Sequence, residues 1–443
     1  MLPLQSIKTL AFISLLAFGV GAAAFADKPS TGVRVDSNPV LSTVELDDFA
    51  LPGPDGRTVT WSRDPLVKLH VFCFLGTECP LARIYGPRLQ QMSDDFAEQG
   101  VQFLGIVSNI QDSMEEMSQY ARDHGINFPL GKDYDQRVTS ALGATRTPEV
   151  FVVDRGGSIR YQGRIDDQYQ PGVSRSEATQ HDLRNAIEAL LAGSSPAATK
   201  TEAVGCLIGR RRDEPTDFSV TFCDQVVRVL QRHCVECHRA GEIGPFSLED
   251  FDEIVGWGDM CIEVIDQGRM PPWHASPDFG SFSNSRHMPE KDKRVLRRWV
   301  EAGMPYGDSD DLPPPAKYVE GWRLPEAPNV VLPMREEPFE VQAEGTVEYQ
   351  YFVVDPGFKE DKWVRAAEVI PGCSSVVHHC IAFTRPPDGA SFREIGLLSA
   401  FVPGQVRSPL PEGYAQRIPA GSRIVFQTVS YTHLTLPTTL PRC

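Results

Sequence analysis

At 443 residues the chain is too long for one hydrophobic core and divides into roughly three domains at ~150 residues each. A formal net charge of −16 argues against nucleic acid or anionic lipid as the main partner, because both demand clustered Lys and Arg. The short basic run Arg210-Arg211-Arg212 reads as part of a solvated linker.

The N-terminus carries Lys8, an apolar run from Leu10 to Ala24, and Ala24-Phe25-Ala26 before Asp27. This is the small-x-small pattern of a signal-peptidase site, so residues 1–26 are expected to be a signal peptide cleaved after Ala26, with a periplasmic or secreted product. No later segment is long and apolar enough to cross a membrane. Export permits disulfides among the ten cysteines.

Residues 36–192 alternate strands and helices, which implies an α/β layer architecture. Strands are expected at 66–75, 101–108, 150–154 and 158–164, with helices after Cys79, over 112–124 and over 177–191. Cys79 falls at a helix N-terminus with Pro80 at the first helical position, where the macrodipole and free N–H groups favour thiolate. On Cys79-Pro80-Leu81-Ala82 after the first core strand, and on Thr147-Pro148 before the strand at 149–153, this region resembles the thioredoxin-like redoxins. The resemblance implies that Pro148 is cis and faces the reactive thiol. It departs from the family at position 82, which is Ala, so a local Cys-x-x-Cys exchange cannot run. Thr77 also lies two residues before Cys79, where the peroxiredoxin pattern has three. Cys79 is then a one-cysteine peroxidatic or sensor thiol with Cys73 or Cys206 as resolving partner, or a relic in a domain kept for docking. Cys73 lies within a strand, where burial as a small hydrophobe is the plainer reading.

Residues 193–218, small and polar around Pro196, read as an interdomain linker. Residues 219–308 read as a small all-α module with helical patterning over 222–231 and 293–302. Within it, Cys234-Val235-Glu236-Cys237-His238 has the Cys-x-x-Cys-His spacing of cytochrome c-type haem attachment, in which two thiols bond the haem and the histidine reaches the iron. A zinc site would need a second Cys pair or a His-x3-5-His partner, and none follows. Met270 in Met270-Pro271-Pro272-Trp273 is the leading ligand for the opposite face, with His274, His287 and Met288 as alternatives. Cys223 and Cys261 flank the motif, and spacing does not fix disulfide partners.

After a second linker at 309–326, residues 327–427 carry short β-type segments at 329–332, 346–354, 363–370, 376–384 and 422–427. These suggest an antiparallel sandwich or jelly roll. The pair His378-His379 lies on one such strand, between Cys373 and Cys380. Adjacent strand residues face opposite ways, so shared ligation requires a bulge or a strand end. Pro371-Gly372, Val376-Val377-His378-His379, Leu410-Pro411-Glu412-Gly413 and Ile424-Val425-Phe426-Gln427 together resemble the first half of the copper type II, ascorbate-dependent monooxygenases. The resemblance implies copper at His378 and His379, joined by a third histidine two residues past Gln427. The chain has Thr428-Val429 there, and residues 428–443, including His433, read as an anomalous tail, with the β module a first half only.

The expected whole is an exported redox protein with two cofactors, haem c and copper. The haem module would pass electrons to a copper monooxygenase-like module that hydroxylates a C–H bond, with an accessory thiol domain. The alternatives are a haem c electron carrier, or a thiol sensor or peroxidase, without hydroxylase activity. The expected partners are redox proteins that donate or accept electrons and a small-molecule or peptide substrate.

Overall fold

The computed structural model describes residues 42–43, 46–170, 173–175, 177–273, 275–319, 321–342, 347–387, 396–404 and 409–430. The expected signal peptide and residues 431–443, with His433, lie outside the described residues, as does His274.

The first domain contains β1 (Ser42–Thr43), β2 (Phe49–Pro52), β3 (Thr58–Trp61), β4 (Leu69–Leu75), α1 (Pro80–Phe96), β5 (Val101–Val107), α2 (Met114–Asp123), β6 (Leu130–Lys132) and α3 (Arg137–Leu142). It continues through β7 (Arg146–Thr147), β8 (Glu149–Asp154), β9 (Ser158–Gly163), β10 (Tyr169–Gln170), β11 (Val173–Ser174) and α4 (Asp182–Leu191). A six-stranded sheet runs β1-β9-β8-β4-β5-β6. Strands β4, β5 and β6 are parallel, while β8 and β9 are antiparallel to their neighbours. Strand β4 is buried along its whole length, and its two-residue period feeds both layers. Val71, Cys73 and Leu75 pack toward α1, whereas Phe72 and Phe74 enter a second core with Phe151 and Leu104. Each fully buried side chain of this size stabilises by about 1.5–3 kcal/mol.

Helix starts follow local side-chain chemistry. Glu116 N–H donates to Ser113 Oγ (3.2 Å) and Ser113 N–H donates to Glu116 Oε2 (2.7 Å), a reciprocal cap that fixes the start of α2. The last helix begins at Asp182, later than the expected 177. The Thr179 and Gln180 N–H groups donate instead to the Asp167 carboxylate, at 2.7 and 2.9 Å.

The segment expected to be an exposed linker, 193–218, is laid onto this domain over much of its length. Gln162 N–H donates to Thr199 O and Thr201 N–H to Gln162 O, both at 2.9 Å. Strand β12 (Cys206–Leu207) pairs antiparallel with β7, and Ile208, only 2 % exposed, joins the core of Phe72 and Phe74. Apolar residues in a polar stretch explain the difference: burial of Cys206 and Ile208 repays the entropy of ordering the backbone.

A helical region follows, with a π-helical turn at Phe222–Val226 running into α5 (Val227–His233), then α6 (Phe251–Asp266) and α7 (Glu290–Glu301). Phe222, Trp257, Leu296 and Trp299 are buried between them. Beyond it lie β13 (Gln350–Val354), β14 (Lys362–Val364), β15 (Val377–Arg385), β16 (Gly396–Phe401), β17 (Gln416–Ile418) and β18 (Arg423–Ser430). They form a four-stranded sheet β13-β18-β15-β16 and a separate pair β14-β17. The strand expected at 329–332 is irregular, with Val330 and Val331 exposed and Leu332 packed on the sheet core. Residues 428–430, expected to begin the anomalous tail, continue β18, with Thr428 paired to both β13 and β15 and Val429 and Ser430 paired to β15. Among the described residues no helix is long and apolar enough to cross a membrane.

Candidate functional site

The loop Gly76–Cys79 leaves the end of β4 and enters α1, with Cys79 as N-cap in extended backbone and Pro80 in the first turn. Pro80 lacks the N–H that would otherwise go unpaired there. The Cys79 thiol is fully buried and donates to the Thr147 carbonyl at 2.9 Å. Thr147 precedes Pro148 through a cis peptide, as the resemblance implied for Pro148, and it is the Thr147 carbonyl that meets the thiol. Gly76 is required by this approach: a Cβ there would fall 2.5 Å from Asn109 Nδ2 and 3.0 Å from Thr147 Oγ1.

The electrostatics favour thiolate. Burial pushes the Cys79 thiol up, but hydrogen bonds from Cys206, from the Thr147 hydroxyl and from the Ala82 N–H outweigh it and hold Cys79 below the usual thiol value. The Thr147 hydroxyl is buried with no other hydrogen-bond partner. Cys206, paired in register with Thr147, is held well above the usual value, first by its bond to Cys79 and then by burial. The two thiols thus titrate as a unit that carries one negative charge before two. Cys73 faces the core of β4 and burial alone pushes it up, which makes it inert.

A buried polar network holds the loop. The Thr77 hydroxyl donates to Asp112 Oδ1 (2.9 Å), Asn109 Nδ2 donates to Asp112 Oδ2 (2.9 Å), and Lys132 Nζ donates to the Asn109 carbonyl. Burial raises Asp112 and lowers Lys132, and the Coulomb attraction between the two opposes both shifts. Glu78 is pushed up to about 7, first by burial and then by the Glu116 and Asp112 carboxylates. The Trp257 indole N–H of α6, otherwise unpaired, faces it. Arg146 donates to Glu263 of α6 at 2.7 Å, and Glu263 also accepts from Arg269 at 3.0 Å. Helix α6 therefore covers the thiol site. Sequence reading missed Asp112, Arg146, Trp257 and Glu263, since these contacts are far apart in the chain.

The second motif forms the turn after α5: His238 N–H donates to Cys234 O at 3.0 Å and Gly244 N–H to Cys237 O at 2.8 Å. His238 Nδ1 lies 3.1 Å from the Phe246 carbonyl, a contact that assigns the proton to Nδ1 and the lone pair to Nε2. Burial lowers the His238 value, which favours the neutral imidazole that ligates metals. The donor chemistry of Cys234, Cys237 and His238 thus fits c-type haem attachment. Met270 follows α6, donates its N–H to Val264 O at 3.1 Å and is 40 % exposed. Met288 is buried and His287 exposed.

The third motif lies where β15 begins. A bulge between Val377 and His379 breaks the alternation, and the Nδ1 atoms of His378 and His379 come within 2.9 Å of each other. Two nitrogens each about 2.0 Å from one metal would sit near this separation, so the pair fits a shared ion. Among the described residues no group of three or more His, Cys, Asp or Glu gathers around a metal position. Val429 stands opposite His379, where the resemblance implied a histidine.

Comparison with known proteins bears on the first domain. The AhpC/TSA family profile matches residues 44–162. The thiol:disulfide interchange protein DsbE of Vibrio cholerae serotype O1 is 31% identical over 165 residues, spanning 35% of this chain and 84% of that protein. The thiol-disulfide oxidoreductase ResA of Bacillus subtilis (strain 168) is 25% identical over 150 residues, spanning 34% of this chain and 77% of that protein. Among solved structures, a hypothetical protein from Sinorhizobium meliloti 1021 is 29% identical and covers 40% of this chain and 98% of its own, with a TM-score of 0.36. Through its first domain, a redoxin resembling thiol-disulfide oxidoreductases, the chain belongs to the AhpC/TSA family.

Proposed function

We propose that the chain is an exported, modular oxidoreductase whose first domain performs thiol-disulfide exchange at Cys79. The observation that carries this is the donor set around one sulfur: a thiol at the start of α1, bonded at Thr147 beside cis-Pro148 and held below its ordinary pKa despite full burial. The partners are redox proteins that donate or accept electrons. Reduction of a protein disulfide such as that of insulin, followed with the full chain and a dithiol reductant, should fall at least a hundredfold in Cys79→Ser. Retention of the rate by that variant would sink the proposal.

A second reading concerns the remaining modules, and the orientation of His238 and the convergence of His378 and His379 favour it. Cys234 and Cys237 would hold haem covalently, His238 and Met270 would ligate its iron, and His378 with His379 would hold a copper ion. Bound haem would supply one-electron transfer, and bound copper would supply dioxygen activation toward C–H hydroxylation of a small molecule or peptide. His238 contributes a fixed Nε2 lone pair, and the bulge at His378 contributes two imidazoles on one side of the sheet. Expression with c-type maturation machinery should give a covalent haem spectrum that is lost in Cys234→Ala/Cys237→Ala. Haem extractable from the wild-type chain by acidified solvent would count against covalent attachment.

A further inference from the structure

We propose that Cys206 is the resolving thiol of Cys79, so that one turnover closes a disulfide between the start of α1 and the strand that follows the redoxin fold. The proposal rests on the thiol-exchange reading and deepens it. The first domain itself offers Cys79 only Cys73, with no local partner since Ala82 occupies the position one turn on, and the segment laid onto it adds Cys206. Cys73 is excluded by its place: it lies within the ladder of β4, opposite Gly105 and Val150, with its side chain in the core. Cys206 is delivered to the site from outside the fold. The β7–β12 pairing sets it opposite Thr147, the residue whose carbonyl accepts from Cys79.

Two further contacts fix that delivery. Gly205 adopts φ +152°, and a Cβ there would lie 2.0 Å from the Thr147 carbonyl oxygen, so only glycine allows the strand this close. Arg146 Nη1 donates to Gly205 O at 2.9 Å, pinning the same peptide from the other side. The resolving thiol is therefore held at the attacking thiol by the two residues that precede the cis-proline, and a local Cys-x-x-Cys is unnecessary. The opposite pKa directions of the two thiols suit the order of events, with Cys79 attacking first.

In the first step the Cys79 thiolate attacks one sulfur of an incoming disulfide. That S–S bond breaks, a mixed disulfide forms, and the departing thiolate takes a proton from water. Cys206 then gives up its proton and attacks Cys79 Sγ, the mixed bond breaks, and the second departing sulfur takes a proton. One disulfide enters, two thiols leave, and Cys79 and Cys206 together lose two electrons.

The test uses the reduced full-length chain, cystamine as a small disulfide probe, and acid-quenched peptide mapping by tandem mass spectrometry. The wild-type chain should yield a Cys79–Cys206 linked peptide, and Cys206→Ser should instead keep cysteamine on Cys79 at least tenfold longer. Persistent cysteamine on Cys79 of the wild-type chain, or a Cys73–Cys79 peptide, overturns the pairing and leaves thiol exchange standing. Absence of any modification at Cys79 in both chains overturns thiol exchange itself, and the pairing with it. Because the wild-type result decides alone, a poorly folded variant would not blunt the test.

Discussion

At the scale of single residues, the chemistry of the first domain comes down to how one proton is distributed between two sulfurs. A buried thiol at a helix N-terminus feels opposing influences: loss of water raises its pKa, and directed donors lower it. Here the donors prevail, and the largest is the Cys206 thiol. The sign is fixed by that outcome. As pH rises, Cys79 passes through its lowered value while ordinary thiols are still protonated, so its alkylation by iodoacetamide should reach half-maximum below the usual thiol range. Cys206→Ala removes the largest donor while burial persists, so the midpoint should move upward. A change of about 1.4 kcal/mol in the interaction moves the midpoint by about one pH unit, which slows alkylation about tenfold at any pH well below the original midpoint. An unchanged profile in Cys206→Ala would mean that Thr147 and the α1 backbone hold the thiolate without the second cysteine.

At the scale of elements, the strongly patterned parts of the chain were legible in the sequence. The continuous apolar run of β4, the helix after Pro80, β5, β8 and β9 lie where periodicity and turn residues place them. The elements that escaped notice have conflicting local signals. Helix α6 contains Gly256 and Gly258 within Phe251–Asp266, and both glycines are there for contact. A Cβ on Gly256 would lie 2.1 Å from Gln111 Oε1, and one on Gly258 2.6 Å from Met304 Sδ. Strand β12 is two residues long and owes its position to β7, a long-range pairing that no local pattern encodes. At the His-His pair the sequence posed the right alternatives, but only the backbone could decide between a regular strand and a bulge. The same register makes a prediction. Val429 is the cross-strand partner of His379, and directly opposed side chains stand about 4.5–5.5 Å apart on the same face of a sheet. Val429→His should therefore place a third imidazole beside the first two. Anaerobic competition against a Cu(I) chelator should show at least tenfold tighter copper binding than in the parent chain. Equal affinity in the two proteins would show that His378 and His379 do not present their nitrogens to an ion on that face.

At the scale of the whole molecule, the thiol site lies beneath a seam between two folded regions, and the seam has a chemical composition that can be perturbed. Glu263 of α6 accepts from Arg146, the neighbour of Thr147, across the seam and from Arg269 in the turn after its own helix, so this carboxylate ties the site to the covering helix through Arg146. Its side chain and that of Arg146 are 18% and 23% exposed, so the contact is partly shielded and stronger than a surface ion pair. Cys79 is wholly buried in this closed arrangement. A reagent can reach it only when the seam opens locally, and the population of that open state sets the observed rate. Glu263→Gln keeps the shape of the side chain and removes its charge, so it weakens the seam and leaves the cores of both regions intact. A loss of about 1–2 kcal/mol corresponds to an increase of about five- to thirtyfold in the open population. Iodoacetamide labelling of Cys79, followed by mass spectrometry at fixed pH, should accelerate by that factor, while the unfolding midpoint changes little because the first-domain core does not include Glu263. A labelling rate equal to that of the parent chain would place the rate-limiting motion elsewhere, in the β7–β12 ladder that carries Cys206. In that event Gly205, and not the helix, would be the residue through which access to the site is set.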